Sequence, residues 1–357
     1  MLKKKVAIVG YFGFKNAGDE LILESIVNSL RKELPDIHIE VLSNCPPETI
    51  SNYRVKAVNR WNPFAIIKTI KNSDLVVLAG GLFQDVTGVF SIYYYLLTII
   101  IGKALGKQVF LYGIEFAPIK YKFNSYILKK VLKFVNKIAV RSIGSLEFLN
   151  NIGIKKNVIL SADIVLSCPV VVVKHKEKGR KLKKIGLILK NSPKNICFFV
   201  ELCESLFSRL ETKLFFIPFH LDKDMDFSLK IAKQLSFPTQ VTYWNKANEL
   251  FYIISGMDFI ITQRLHGLIL STLLRIPVTG ISSDPKLKFF FDEFGQKILS
   301  EKEISPDSVI QTITDIWEWQ NEFKKNIEYS LPQLQYRALL NTLHAVKTLN
   351  PTLKIIR

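Results

Sequence analysis

The sequence predicts an α/β protein made of two successive doubly wound, Rossmann-like parallel sheets. Short apolar runs alternate with amphipathic stretches along almost the whole chain, as strand–helix–strand units do. The alternation halts once, at Pro169 and a lysine-rich stretch, and then restarts. At 357 residues the chain is also too long for one ordinary core and suits two.

The first set of strands is expected at Lys5–Gly10, Ile37–Ser43, Leu75–Ala79, Gln108–Tyr112, Lys137–Val140 and Val158–Ser161, each a brief run rich in Val, Ile and Leu. Between the first two, Leu21 to Leu34 spaces its apolar residues along one helical face. The second set is expected at Lys184–Leu189, Lys213–Pro218, Gln240–Tyr243, Phe259–Thr262 and Val278–Ile281, with helices near 195–210, 226–235, 246–254, 265–275 and 286–294. The expected boundaries are therefore an N-terminal domain over 1–170, a basic linker over 171–183, a C-terminal domain over 184–304 and a helical tail over 305–357. Two such domains facing each other would leave a cleft between the carboxyl edges of their sheets, where ligands of this architecture bind. That is the layout of GT-B glycosyltransferases.

The formal net charge of +18 points to an anionic partner, such as a polyanionic ligand or a cytoplasmic membrane face, with solubility as the plain alternative. Lysines crowd between Lys103 and Lys137, where Glu115 is the single acid. No nucleic-acid motif accompanies them, so nucleic acid is not an expected partner. Cys45, Cys168, Cys197 and Cys203 show no zinc spacing and read as reduced thiols of a cytoplasmic protein. The opening MLKKKVAIVGYFG reads as a first strand, not a secretion signal. Ile92–Ile101 is too short to span a bilayer and reads as a buried helix, with an interfacial helix as the alternative.

Functional candidates fall where strands end. After the first strand, the loop from Gly10 to Glu20 carries Gly13, Asn16, Gly18 and Asp19. It lacks the dinucleotide spacing, and two carboxylates at a helix start would repel phosphate, whereas they could hold sugar hydroxyls. As a plain alternative, Asp19 caps the helix and Glu20 complements its dipole. Gly80 and Gly81 follow the third strand, with Gln84 and Asp85 beyond them. Arg141 ends its strand where it could clamp a carboxylate or make a structural ion pair.

The strongest signal is Arg264-Leu265-His266-Gly267. Leu265, Leu268, Ile269, Thr272, Leu273 and Ile276 mark a buried stripe. Arg264 and His266 flank that stripe in the first turn, beside free backbone N–H groups that suit an anion. Ser282-Ser283-Asp284-Pro285-Lys286 ends the next strand, and its lysine opens a helix against the dipole, a local misfit that points to function. His38, His175, His220 and His344 have no comparable setting and read as structural or surface residues. No carboxylate or histidine set suits a metal, so neither metal nor cofactor is expected.

Together GYFGFKNAGDE, GGLFQD, LGKQVFLYG, the lone Arg141, QRLHGLILSTL and GISSDPK resemble the polysaccharide pyruvyl transferase family, of the type acting on cell-wall and S-layer glycans, over roughly residues 5–300. The resemblance implies a GT-B-like fold that uses no nucleotide sugar. It implies transfer of the pyruvyl group of phosphoenolpyruvate onto two hydroxyls of a sugar, giving a pyruvate ketal and phosphate. The acceptor would be a cell-surface polysaccharide or a lipid-linked precursor. By resemblance Arg141, Arg264, His266 and Lys286 bind the donor. His266 and Arg264 assist the chemistry with Asp19, and Asn16, Asp19, Gly80, Gly81, Gln84 and Asp85 meet the acceptor. The chain departs from the family at the short Gly80-Gly81 loop, at Ser142 in place of an acid, and across Gly113–Pro118, all in the half expected to hold the acceptor. The implied setting is cytoplasmic, with peripheral contact at the inner face of an anionic membrane. The rival readings are a GT-B glycosyltransferase using a nucleotide sugar, and a non-catalytic membrane-associated scaffold of the same fold.

Overall fold

A computed structural model describes residues 3–85, 88, 91–116, 119–169, 181–191, 195–293 and 296–351, without the side chains of Pro285 and Lys286. Residues 171–180 of the expected basic linker lie outside the described residues. The chain divides into two compact units: residues 1–14, 19–168 and 334–357 form unit 1, and residues 15–18 and 169–333 form unit 2.

Unit 1 contains β1 (Lys5–Val9), β2 (His38–Ser43), β3 (Lys56–Asn59), β4 (Leu75–Ala79), β5 (Gln108–Ile114), β6 (Lys137–Val140) and β7 (Val158–Leu160). All pair in parallel, in the order β3-β2-β1-β4-β5-β6-β7. Its helices are α1 (Ala17–Glu33, whose first two residues belong to unit 2), α2 (Pro46–Tyr53), α3 (Pro63–Lys71), α4 (Ser91–Ala104), α5 (Lys122–Leu132) and α6 (Ile143–Asn151). Every residue of β4 is buried, as a central strand covered on both faces requires. The strand order reverses between β1 and β4, so their carboxyl ends, Gly10–Gly13 and Gly80–Gly81, frame the switch point where this architecture takes ligands.

Unit 2 repeats the scheme with β8 (Lys184–Ile188), β9 (Lys213–Phe216), β10 (Gln240–Val241), β11 (Phe259–Thr262), β12 (Val278–Ile281) and β13 (Ile298–Leu299). The order is β10-β9-β8-β11-β12-β13, all parallel, with the reversal between β8 and β11. Its helices are α7 (Ile196–Leu210), α8 (Leu221–Ala232), α9 (Glu249–Ser255), α10 (Leu265–Leu273), α11 (Pro285–Glu293) and α12 (Pro306–Glu318). A last helix, α13 (Gln320–Leu349), contains Pro332 and changes unit just after it.

The expected strands are all present, and two more appear. β3 is short and only half-buried, and β13 has two residues, so neither carries a distinct apolar run. α8 starts five residues before its expected onset near 226, because its polar first turn, Leu221-Asp-Lys-Asp, hides the periodicity. The residues from 305 onward do not form one tail. α12 packs on α7 in unit 2, whereas the end of α13 belongs to unit 1, where Thr342 and Tyr112 hydroxyls lie 2.6 Å apart and Asn341 donates to the Ala162 carbonyl at 3.0 Å. The Ile92–Ile101 run forms most of α4, with Ile92, Leu96 and Ile99 in the core. No helix among the described residues is long and apolar enough to cross a membrane.

Candidate functional site

In unit 2 the site grows from the carboxyl end of β11. Thr262 folds its hydroxyl back onto the turn, accepting from Arg264 N–H at 3.0 Å and donating to Arg264 C=O at 2.9 Å. This fixes Arg264 as the residue before α10, in extended conformation. Its guanidinium meets the carboxylate of Asp224 edge to edge, Nε–Oδ2 3.1 Å and Nη2–Oδ1 2.5 Å. Asp224 is fully buried, while Arg264 keeps partial exposure.

Asp224 also accepts from the backbone N–H of His220 at 2.9 Å and of Asn191 at 3.3 Å. One carboxylate thus joins the ends of β8 and β11 to the start of α8, in line with charge-assisted hydrogen bonding at a helix N-terminus. Beside it, Lys190 N–H donates to Gln263 Oε1 at 3.0 Å, and Gln263 Nε2 donates to Glu301 at 2.8 Å.

His266 lies in the first turn of α10, and its ring abuts the backbone of Gly18. A Cβ built on Gly18 would sit 2.3 Å from His266 Nδ1. Gly18 is held by an Asx turn, its N–H donating to Asn16 Oδ1 at 3.2 Å. The segment around it pairs with the end of β9, Ala17 N–H donating to Phe219 C=O at 2.7 Å and Leu221 N–H to Lys15 C=O at 3.0 Å. Glycine is required at 267 as well, where a Cβ would meet Thr262 Oγ1 at 2.4 Å and Ile188 Cδ1 at 2.8 Å. α10 thereby presses directly on β8 and β11.

His220, set aside in the sequence as structural or surface, belongs to this cluster. It pairs through its backbone with Asn16, is 5% exposed, and has both ring nitrogens buried with no hydrogen-bond partner among the described residues. Burial, reinforced by Lys223, holds its pKa below the ordinary 6.5 despite the nearby Asp224. Only its placement four residues before Asp224 could have flagged it in the sequence. Lys286 is the second residue of α11, which follows β12, the hydrogen-bonded neighbour of β11.

The remaining candidates lie in unit 1. Arg141 follows β6 and is almost buried between two carboxylates, Nε–Glu115 Oε2 3.1 Å and Nη1–Asp163 Oδ2 2.5 Å. Glu115 Oε1 also accepts from the hydroxyls of Ser142 at 2.8 Å and Ser145 at 2.9 Å. Burial works against the Arg141 cation, but Asp163 and Glu115 outweigh it and its pKa is raised. Of the two alternatives left open by the sequence, this is the structural ion pair.

Asp19 is half-buried in the first turn of α1, not at its cap, and a Cβ on Gly80 would approach its Oδ1 to 3.2 Å. Gly80 has φ +105°, a conformation reserved for glycine, and open space adjoins Gly81. Glu20 is buried and accepts from Gly13 N–H at 2.7 Å and Tyr53 Oη at 2.7 Å, so it shapes the loop. Gln84 is half-buried, and its carbonyl accepts from Ser91 Oγ at 3.0 Å.

Asp85, expected to meet the acceptor, is engaged within unit 1. It is buried, and its oxygens accept from the N–H groups of Lys120 at 2.9 Å and Tyr121 at 3.1 Å and from Asn124 Nδ2 at 3.0 Å. It braces the entry to α5. All four cysteines are free thiols, and no group of three His, Cys, Asp or Glu among the described residues is placed to hold a metal.

Three outcomes follow from these contacts. Gly267→Ala should cost about 1–3 kcal/mol in urea denaturation through overpacking against β8 and β11. Arg141→Ala should cost about 3–5 kcal/mol, because it strands two buried carboxylates; a loss below about 1 kcal/mol would contradict the network drawn here. His220 has a lowered folded-state pKa, so below about pH 6.5 protons favour the unfolded chain and stability falls as the pH drops. His220→Gln should flatten that acid-side decline between pH 7 and pH 5, as read from thermal midpoints relative to the unaltered chain.

Comparison with curated protein sequences gives no match. Among solved structures, a protein from Listeria monocytogenes described as a UDP-N-acetylglucosamine 2-epimerase superposes with TM-score 0.69 at 13% identity, covering 99% of this chain and 98% of its own. The UDP-GlcNAc 2-epimerase from Neisseria meningitidis, bound to UDP-GlcNAc, gives 0.65 at 14% identity over 98% and 100%. Anabaena Alr3699/HepE in complex with UDP-glucose gives 0.64 at 9% identity over 97% and 99%. At such identities the likeness establishes the fold alone, the GT-B type with two Rossmann-like units. The family model described as polysaccharide pyruvyl transferase matches residues 16–285, about three-quarters of the sequence, and the chain belongs to that family.

Proposed function

We propose that the protein transfers the pyruvyl group of phosphoenolpyruvate onto two hydroxyls of a polysaccharide or lipid-linked glycan precursor, forming a ketal and releasing phosphate. The observation that carries this reading is the placing of Arg264 and His266 together where β11 ends, with the backbone of Lys286 following the adjoining β12. Arg264 is pinned by Asp224, His266 lies two residues on in the first turn of α10, and Lys286 is the second residue of the helix after the adjoining strand. A small ligand with both a phosphate and a carboxylate matches such a set better than a neutral one does.

In this reading one acceptor hydroxyl adds to C2 of the enol while the methylene carbon takes up a proton, for which His266 is the donor. The C2–O bond to phosphate then breaks, its electron pair leaving with the phosphate, and the second hydroxyl closes the ketal at C2. Of the two hydroxyl protons, one balances that taken into the new methyl group and the other leaves on phosphate. Arg264 and Lys286 stabilise the departing phosphate. Asp19, beside the positive-φ Gly80, orients or deprotonates an acceptor hydroxyl, with Gly81 and Gln84 in supporting positions. Arg141 acts through its carboxylate pair, as an organiser of unit 1. The reading places the enzyme in the cytoplasm, the source of its donor.

Calorimetric titration with phosphoenolpyruvate and, separately, with UDP-glucose tests this directly. Saturable binding of phosphoenolpyruvate is expected, weakened roughly ten-fold or more in Arg264→Lys, which keeps the charge opposite Asp224 and loses the two-pronged geometry. Binding of the nucleotide sugar without phosphoenolpyruvate would replace this reading with a GT-B glycosyltransferase.

A further inference from the structure

α3, α4 and α5 lie side by side on one face of the unit 1 sheet, α4 packing against both of the others. Their inner sides enter a common core through Ile66 and Ile70, Ile92, Leu96 and Ile99, and Leu128, Val131 and Leu132. Their outer sides therefore face away from the sheet together. Water-facing helices of a globular protein ordinarily carry polar residues there.

These helices do the reverse. Phe64 and Ile67 on α3, Leu97 and Ile100 on α4, and Phe123 and Tyr126 on α5 are all exposed, Phe64 at 83%, Phe123 at 65% and Leu97 at 56%. Single exposed apolar residues need no explanation, but two on each of three adjacent helices form a patch that does.

The charge on the same helices is one-sided. None of the three contains an aspartate or glutamate, and Lys68, Lys71, Lys122 and Lys130 are exposed beside the apolar residues. Lys130 Nζ stands 5.3 Å from the centre of the Tyr126 ring, a charged tip on an apolar body. A protein partner of ordinary composition would find no anions to pair with here. A surface of hydrocarbon beneath a layer of negative charge answers both features, the apolar side chains entering the acyl boundary and the lysines remaining among the headgroups.

The ends of the helices add direction. α3, α4 and α5 follow β3, β4 and β5, so Phe64, Phe123 and Tyr126, near the starts of α3 and α5, lie toward the carboxyl edge of the sheet, the edge that bears Gly80, Gly81 and Asp19.

We infer that the outer face of α3, α4 and α5 docks unit 1 onto an anionic lipid bilayer, with the ligand-binding edge of its sheet next to the headgroups. This depends on the surface of unit 1 and not on the reaction proposed above, so either can fail without the other.

Co-sedimentation of the full chain with phosphatidylcholine vesicles, with and without phosphatidylglycerol, is the test. Binding to the anionic vesicles is expected, with little to the neutral ones. It should fall roughly ten-fold in Phe64→Ser/Leu97→Ser/Phe123→Ser and likewise in Lys71→Glu/Lys122→Glu/Lys130→Glu. The six positions are exposed, and an unchanged thermal midpoint confirms that each variant is folded. Absence of binding to anionic vesicles, or binding undiminished in both variants, would overturn the proposal, the latter because charge elsewhere would then carry it. Sedimentation velocity without lipid covers the other occupant: self-association broken by the same apolar substitutions would assign the face to a second copy of the chain.

Discussion

Unit 2 depends on one buried carboxylate. Asp224 has no exposed surface, yet it accepts from both prongs of Arg264 and from the backbone N–H groups of His220 and Asn191. A buried anion is tolerable only when its lone pairs are satisfied, and here the satisfying groups come from three separate strand ends. The same contacts that make Asp224 affordable hold the ends of β8 and β11 and the start of α8 in fixed relation. Within this network the Asp224 and His220 side chains are buried while the Arg264 side chain keeps partial exposure, so the guanidinium remains accessible at the end of β11.

The fold was legible because both sheets are parallel and covered, which makes strands such as Leu75–Ala79 short continuous apolar runs set between amphipathic stretches. β3 and β13 escaped because edge strands are short and half-exposed, leaving no pattern to read. The Arg264–Gly267 elbow was legible for a different reason. Gly267 is demanded by contact with Thr262 and Ile188, and such steric demands leave a residue type in the sequence. Asp224 was not legible: an aspartate in the first turn of a helix is ordinary dipole chemistry, and its partner lies forty residues away. His220 was missed for the same reason, since its orphaned ring is a property of burial that spacing does not express. Asp85 was ambiguous in the sequence, because an acid after a glycine pair looks the same whether it faces a ligand or braces a turn, as its bonds to Lys120 and Tyr121 do.

The two arginines singled out from the sequence differ in what their surroundings leave them. Asp224 engages two of the five N–H groups of Arg264 and cancels its charge once, so the guanidinium remains a directed donor at a partly exposed position. Arg141 is set against two carboxylates, and that buried trio carries a net charge of minus one. An incoming phosphate would be repelled there unless the network first rearranged, and rearranging it would uncover carboxylates in a nearly water-free setting. A neutral polyol meets no such barrier, and it would find the Asp19 carboxylate beside the open space at Gly81. On the proposed reading, charge balance within each unit, taken separately, favours an anion at Arg264 and a hydroxyl-bearing ligand at Asp19. The same balance leaves Arg141 engaged by its two carboxylates, where it ties the end of β6 to Glu115 and Asp163.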